Sequence, residues 1–194
     1  MKVVVFENNH ASQPAEDSPG WYLVADSAIS NTGKPFYIPE EAGKVVVNIS
    51  PAFKISRLGK YIDPRFAPRY YKEYAPAVHF VIPALKEELI RSGRGISRAV
   101  SFDKSIMAGD FQPLPSDMQD IRLSLKLNGE KLKEWKYSDM HRNPELLLHE
   151  YSKSNTVKMG DIFLPAPFGD VAIGIGDYLE VMCGDSQAFS VKVK

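Results

Sequence analysis

The chain has 194 residues, 44% hydrophobic and 25% charged, which suits one globular unit with a substantial core. Lysine plus arginine and aspartate plus glutamate both number 24, so the formal net charge is zero and no basic surplus points to nucleic acid or a membrane surface. A single cysteine, Cys183, leaves no internal disulfide to form and fits a reducing compartment.

In chain order, Val3–Phe6 is a compact β-branched run that reads as a buried strand. It is too short for a secretory core, and no apolar stretch approaches the roughly 18 residues that span a bilayer, so a cytoplasmic protein is expected. Gln13–Gly20, with two prolines and a glycine, reads as a loop. Trp21–Leu23 and Phe36–Ile38 read as short strands separated by a turn at Asn31-Thr32-Gly33. Val45–Ile49 is a strand whose pairing Pro51 should restrict. Asp63-Pro64 starts a helix running to about Tyr71, since aspartate caps and proline suits the first turn. A strand near Ala75–Val81 follows, then a helix from Pro83 to Arg91 closed by Gly93. Ile121–Leu127 alternates strictly and meets Asn128-Gly129, the strongest short hairpin signal. Asn143-Pro144 opens a helix to about Lys153; Asp161–Leu164, Tyr178–Cys183 and Ala188–Val193 read as strands. The sum is about three helices against roughly nine or more strands, a β-rich α+β fold in one domain over residues 1–194.

Several stretches, in order and at matching spacing, carry a resemblance. They are Asp26-Ser27-Ala28, Ile55–Lys60, Arg65–Tyr71, Ser101-Phe102-Asp103, Leu125–Glu130 ending in Asn-Gly-Glu, Ser138-Asp139-Met140, and the two Gly-Asp turns at Gly160-Asp161 and Gly176-Asp177. The chain resembles the fumarylacetoacetate hydrolase family, especially its short bacterial members. The resemblance implies a mixed β-sandwich or roll with peripheral helices, and a homodimer or a heterodimer with an active paralogue. It also implies an activity: hydrolysis, decarboxylation or isomerisation of acylpyruvates or related 2,4-dioxo acids at a bound Mg²⁺, Mn²⁺ or Ca²⁺.

Such a site holds its ion with a Glu-x-Glu pair on a strand, whose alternate residues share a face, and with a later aspartate; hard cations favour carboxylate oxygens. Aligned on Ile55–Lys60, that pair falls on Asn48 and Ser50, and the aspartate falls on His79. The Arg-Asp-Leu-Gln that follows in the family falls on Pro83–Lys86. The family's two pocket lysines become Val24 and Val100, the second just before the retained Phe102-Asp103. Its Asn-Tyr-x-x-His lies on Asn9–Gln13, which puts His10 at the tyrosine and Gln13 at the general base. Its Thr-Gly-Thr-Pro turn falls on Leu164–Phe168.

Replacing all three carboxylates at once removes the repulsion they would suffer without a metal, and valine at both lysine positions removes cations with no anion to meet. The resemblance therefore implies a pseudoenzyme without a metal or other cofactor. One alternative is an active enzyme with a shifted site, although no acidic pair with one residue between occurs from Pro35 to Asp103. Another is a small-ligand binder using Asn48, Ser50 and His79. Beside these, His79 in the apolar run Ala77–Val81 reads as a satisfied core histidine, His10 and His141 as surface or loop residues, His149 as part of a solvated helix face, and Cys183 as a small buried hydrophobe.

Overall fold

The computed structural model describes residues 1–31 and 33–194, with the backbone alone at residue 31. The expected turn at Asn31-Thr32-Gly33 falls partly outside the described residues. The strands, in order, are β1 (Lys2–Glu7), β2 (Gly20–Ala25), β3 (Ile29–Asn31), β4 (Val45–Ile55), β5 (Tyr71–Val81), β6 (Ile106–Ala108), β7 (Gln112–Pro113), β8 (Arg122–Leu127), β9 (Glu130–Lys136), β10 (Ile162–Leu164), β11 (Phe168–Ile173), β12 (Tyr178–Cys183) and β13 (Ser186–Lys192). The α-helices are α1 (Pro83–Arg91), the short α2 (Ser97–Val100) and α3 (Pro144–Ser154). Among the described residues no helix is long and apolar enough to cross a membrane.

Nine strands form one mixed sheet in the order β2-β1-β10-β4-β5-β6-β3, with β11 also beside β4 and β7 beside β5. The β1–β10 and β3–β6 pairs are parallel. A second, four-stranded sheet runs β13-β12-β8-β9. The larger core lies where the two sheets meet, with Val47, Ile49 and Phe80 of one joined to Leu125, Trp135, Leu179 and Val181 of the other. Each such side chain contributes about 1.5–3 kcal/mol by leaving water. Trp135 is fully buried and its indole N–H donates to the Ala166 carbonyl at 3.0 Å, tying the small sheet to the loop before β11. Phe6, Trp21, Tyr151 and Phe163 stack edge to face at 5.3–6.4 Å and fix β1 and β2 against α3.

β4 and β5 form the longest ladder, and β4 does not stop at Pro51. Pro51 faces Pro76 across the pair. Opposed antiparallel residues exchange two hydrogen bonds or none, so two prolines fit a non-bonded position, with their N–H-less edges turned outward. Those outer edges are where each strand changes neighbour. β4 passes from β11, last paired at Ile49, to β10 at Phe53, and β5 passes from β6 at Ala77 to β7 at Tyr74.

Some local expectations shift. The 64–71 helix is a 3₁₀ turn over Pro64–Arg69, capped by Asp63 accepting from the Arg65 N–H at 2.9 Å; Pro68 cannot supply an α-helical donor, and Tyr71 already begins β5. Phe36–Ile38 makes a single bridge, Phe36 to Val193, flanked by backbone bonds to Lys192 and Lys194, rather than a strand. β11 was hidden because Gly169 and Asp170, both at positive φ (136° and 45°), bulge it inside a Pro- and Gly-bearing stretch that reads as a turn.

Candidate functional site

A cleft of about 470 Å³ opens where β1, β2, β4 and β5 meet the start of α1 and the β11 bulge. Asn48 and His79, the positions matched to the family's first glutamate and its aspartate, stand directly opposite each other in the β4–β5 register and both line it. Gln13, at the general-base position, lines it too.

The other aligned positions lie elsewhere. Ser50, two residues along β4, is buried, and its hydroxyl donates to the Pro51 carbonyl at 3.0 Å. Val24 is buried in the smaller apolar cluster beside Val3. The Val100 side chain is in the main core, but its carbonyl accepts from His79 Nε2 at 2.8 Å. Asp103 is exposed in a turn and does not line the cleft. His10, read as a surface or loop residue, is instead buried, because it bridges Met140 and stacks flat on Phe168 at 3.8 Å. Burial lowers its pKa against the opposing pull of Asp139. His141 is exposed, as expected, and half-buried His149 sends Nδ1 to the Ile62 carbonyl at 2.7 Å. Cys183 is half-buried and touches the Tyr74 hydroxyl.

The hydrogen bonds define the protonation of His79. A carbonyl only accepts, so Nε2 carries the proton and donates to Val100, and Nδ1 accepts from the Tyr22 hydroxyl at 3.3 Å. Complete burial, aided by the nearby Lys86 charge, pushes the His79 pKa down to about 4, so the ring is neutral at pH 7. Tyr22 is pushed upward, first by burial and then by the charges of Glu7 and Asp170. Asn48 is held in a reciprocal pair: its amide donates to Asp170 Oδ1 at 3.0 Å, and the Asp170 N–H donates to Asn48 Oδ1 at 2.9 Å. Lys86, from α1, reaches Glu7 Oε1 at 2.6 Å and lies 5.6 Å from the Tyr22 ring centre.

Glu7, Tyr22, Lys86 and Asp170 therefore belong to the cleft, although the alignment of site positions passed over them. A signal existed for Lys86, the last residue of the segment matched to Arg-Asp-Leu-Gln. For Tyr22 and Asp170 none did, since the β1–β2 register and the β11 bulge put them there.

A hard divalent cation does not fit the three aligned positions, Asn48, Ser50 and His79. The three aligned positions offer an amide, a hydroxyl and a neutral imidazole, and the atoms that would ligate are already bonded to Asp170, Pro51, Tyr22 and Val100. Among the described residues no three histidine, cysteine, aspartate or glutamate side chains converge as a metal site would require.

Fold and site together define a two-sheet, β-rich scaffold with one polar cleft at the Asn48–His79 end of its β4–β5 ladder. The chain matches the family profile described as fumarylacetoacetate (FAA) hydrolase C-terminal over residues 3–186, and it belongs to that family. It is 25% identical over 190 residues to an oxaloacetate tautomerase of Escherichia coli, covering 93% of this chain and 87% of that protein. It is 26% identical over 165 residues to the mitochondrial oxaloacetate tautomerase of Rattus norvegicus, covering 84% and 75%. Among solved structures, a fumarylacetoacetate hydrolase family protein from Yersinia pestis superposes with a TM-score of 0.92 at 24% identity, over 100% of this chain and 93% of that one. The fumarylpyruvate hydrolase of Pseudomonas aeruginosa, solved with Mn²⁺ and pyruvate, superposes at 0.91 with 17% identity, over 100% and 89%.

Proposed function

We propose that this chain is a non-catalytic member of its family, acting as a homodimer or as the partner of an active paralogue in the cytoplasm. One observation carries the reading: Asn48, Ser50 and His79, where carboxylates would hold the ion, are uncharged, and each already bonds an internal partner. Calorimetric titration of metal-stripped protein with Mn²⁺ and Mg²⁺ tests it. A tight site at a hundred times its Kd would add about 2.7 kcal/mol of stability and raise the melting temperature. No binding up to millimolar metal is expected; stoichiometric micromolar binding would overturn the reading. Light scattering on the purified protein and co-purification from the host separate the homodimer from the heterodimer.

A second reading keeps the family's metal-dependent chemistry on acylpyruvate or 2,4-dioxo acids, with ligands moved to other side chains. It is favoured by the tautomerase relatives; the same cleft holds Glu7, Glu87 and Asp170, although among the described residues no three acids are grouped as metal ligands. Ultraviolet assay of the enol–keto exchange of oxaloacetate with and without Mn²⁺ tests it. Activity that needs the metal and falls in Asp170→Asn would carry it.

A further inference from the structure

At the opposite end of the β4–β5 ladder lies a second surface cleft of about 420 Å³, lined by Ser56, Arg57, Pro68, Arg69 and Lys72. Three of the five lining residues are cations and none is an acid, in a chain whose total charge is zero. The backbone brings them together: β4 ends at Ile55, opposite Tyr71, and the Ser56 N–H donates to the Tyr70 carbonyl at 2.7 Å. Arg57 then leaves β4 beside Arg69, the last residue of the 3₁₀ turn, and Lys72, near the start of β5.

The nearby acids are taken by other cations. Asp63 holds Arg65 at 3.0 Å, and Glu73 holds Lys54 at 3.3 Å. Among the described residues no ion pair involves Arg57, Arg69 or Lys72. The Arg69 guanidinium lies over the Phe66 ring, 4.8 Å from its centre. Stacking of this kind restrains the planar group while leaving its N–H edge free, which lowers the ordering cost of a two-point bond to an oxyanion. Every charged group at the cleft is a donor, and the volume falls within the about 300–1,000 Å³ of small-molecule sites.

We propose that this cleft binds a small polyanion through paired oxyanion contacts from Arg57 and Arg69, with Lys72 as a third charge. Phosphoryl and carboxylate groups share that chemistry. The site is independent of the cleft at Asn48 and His79 and stands whether or not that cleft is catalytic.

The test is calorimetry at low ionic strength with pyrophosphate and, separately, citrate, alongside amide chemical shifts. Saturable binding is expected, with shifts centred on Ser56, Arg57 and Arg69–Lys72, and it should weaken as salt screens the charges. Preference for pyrophosphate would make the ligand a phosphoryl compound; equal binding would make it a general polyanion. Each arginine changed to glutamine should weaken binding about tenfold, from the loss of charge-assisted hydrogen bonds. Thermal melts of Arg57→Gln and Arg69→Gln check that the fold is kept. No saturation by millimolar anion, or saturation unchanged in both variants, would overturn the proposal. So would flotation with phosphatidylserine vesicles without binding of either soluble anion, which would make the surface a membrane contact.

Discussion

The two ends of the β4–β5 ladder treat polar groups in opposite ways. At the Asn48–His79 end, side chains lie inside the protein and their polar atoms bond to Asp170, Tyr22 and Val100. At the Ser56–Lys72 end, three exposed cations line the cleft, and among the described residues none of them is in an ion pair. Burial explains the difference. An unpaired polar atom away from water costs several kcal/mol, so the inner end is compelled to close its own network, whereas water solvates the outer end at little cost. A buried site that exchanges charged groups for neutral ones must also change their partners; an exposed site need not.

The contrast can be broken most severely at His79. His79→Ala should destabilise the protein by about 3–4 kcal/mol, because it empties core volume and strands the Tyr22 hydroxyl and the Val100 carbonyl. Urea unfolding measures it, and a loss below about 1 kcal/mol would mean the network is not closed as described.

Acid should act through the same ring. The folded pKa of His79 is about 4 and the unfolded value 6.5, so the unfolded chain takes up a proton first as pH falls. Stability from this group is full above about pH 6.5 and is lost between there and pH 4, by about 3 kcal/mol. His10, also lowered, adds a loss of the same sign. His79→Gln should flatten the profile of unfolding free energy against pH in that window; an unchanged slope would place the titration elsewhere.

A smaller effect is expected at Asn48→Ala, about 1–2 kcal/mol, since it frees both halves of the pair with Asp170. Denaturant melts and the shift of the Asp170 amide resonance would report it. The smallest is expected at the outer end: Arg57→Gln and Arg69→Gln should each change stability by less than about 0.5 kcal/mol. A large loss there would mean the cations serve the fold.

Much of this organisation was legible along the chain. Asn128-Gly129 adopts φ of 53° and 87° and closes β8 on β9, and the Asn143 side chain caps α3 by accepting from the Leu146 N–H at 3.0 Å, because turn and cap chemistry depend only on neighbouring residues. The alignment also brought Asn48, His79 and Gln13 to one cleft. It did not bring Ser50, Val24, His10 or Asp103 there, because a position matched in sequence says little about which way a substituted side chain is packed.

By itself, then, the sequence determined the strand and helix segments with strong local signals, the β-rich fold class and the family. Tertiary structure alone decided that β10 lies between β1 and β4, that Tyr22, Lys86 and Asp170 surround His79, and that Arg57 and Arg69 share a cleft. The reason is range. Periodicity, capping and turn residues are fixed by contacts a few positions apart, whereas these neighbours sit on separate strands, helices and turns, as far apart as Tyr22 and Asp170 are from His79, and meet according to which faces bury together.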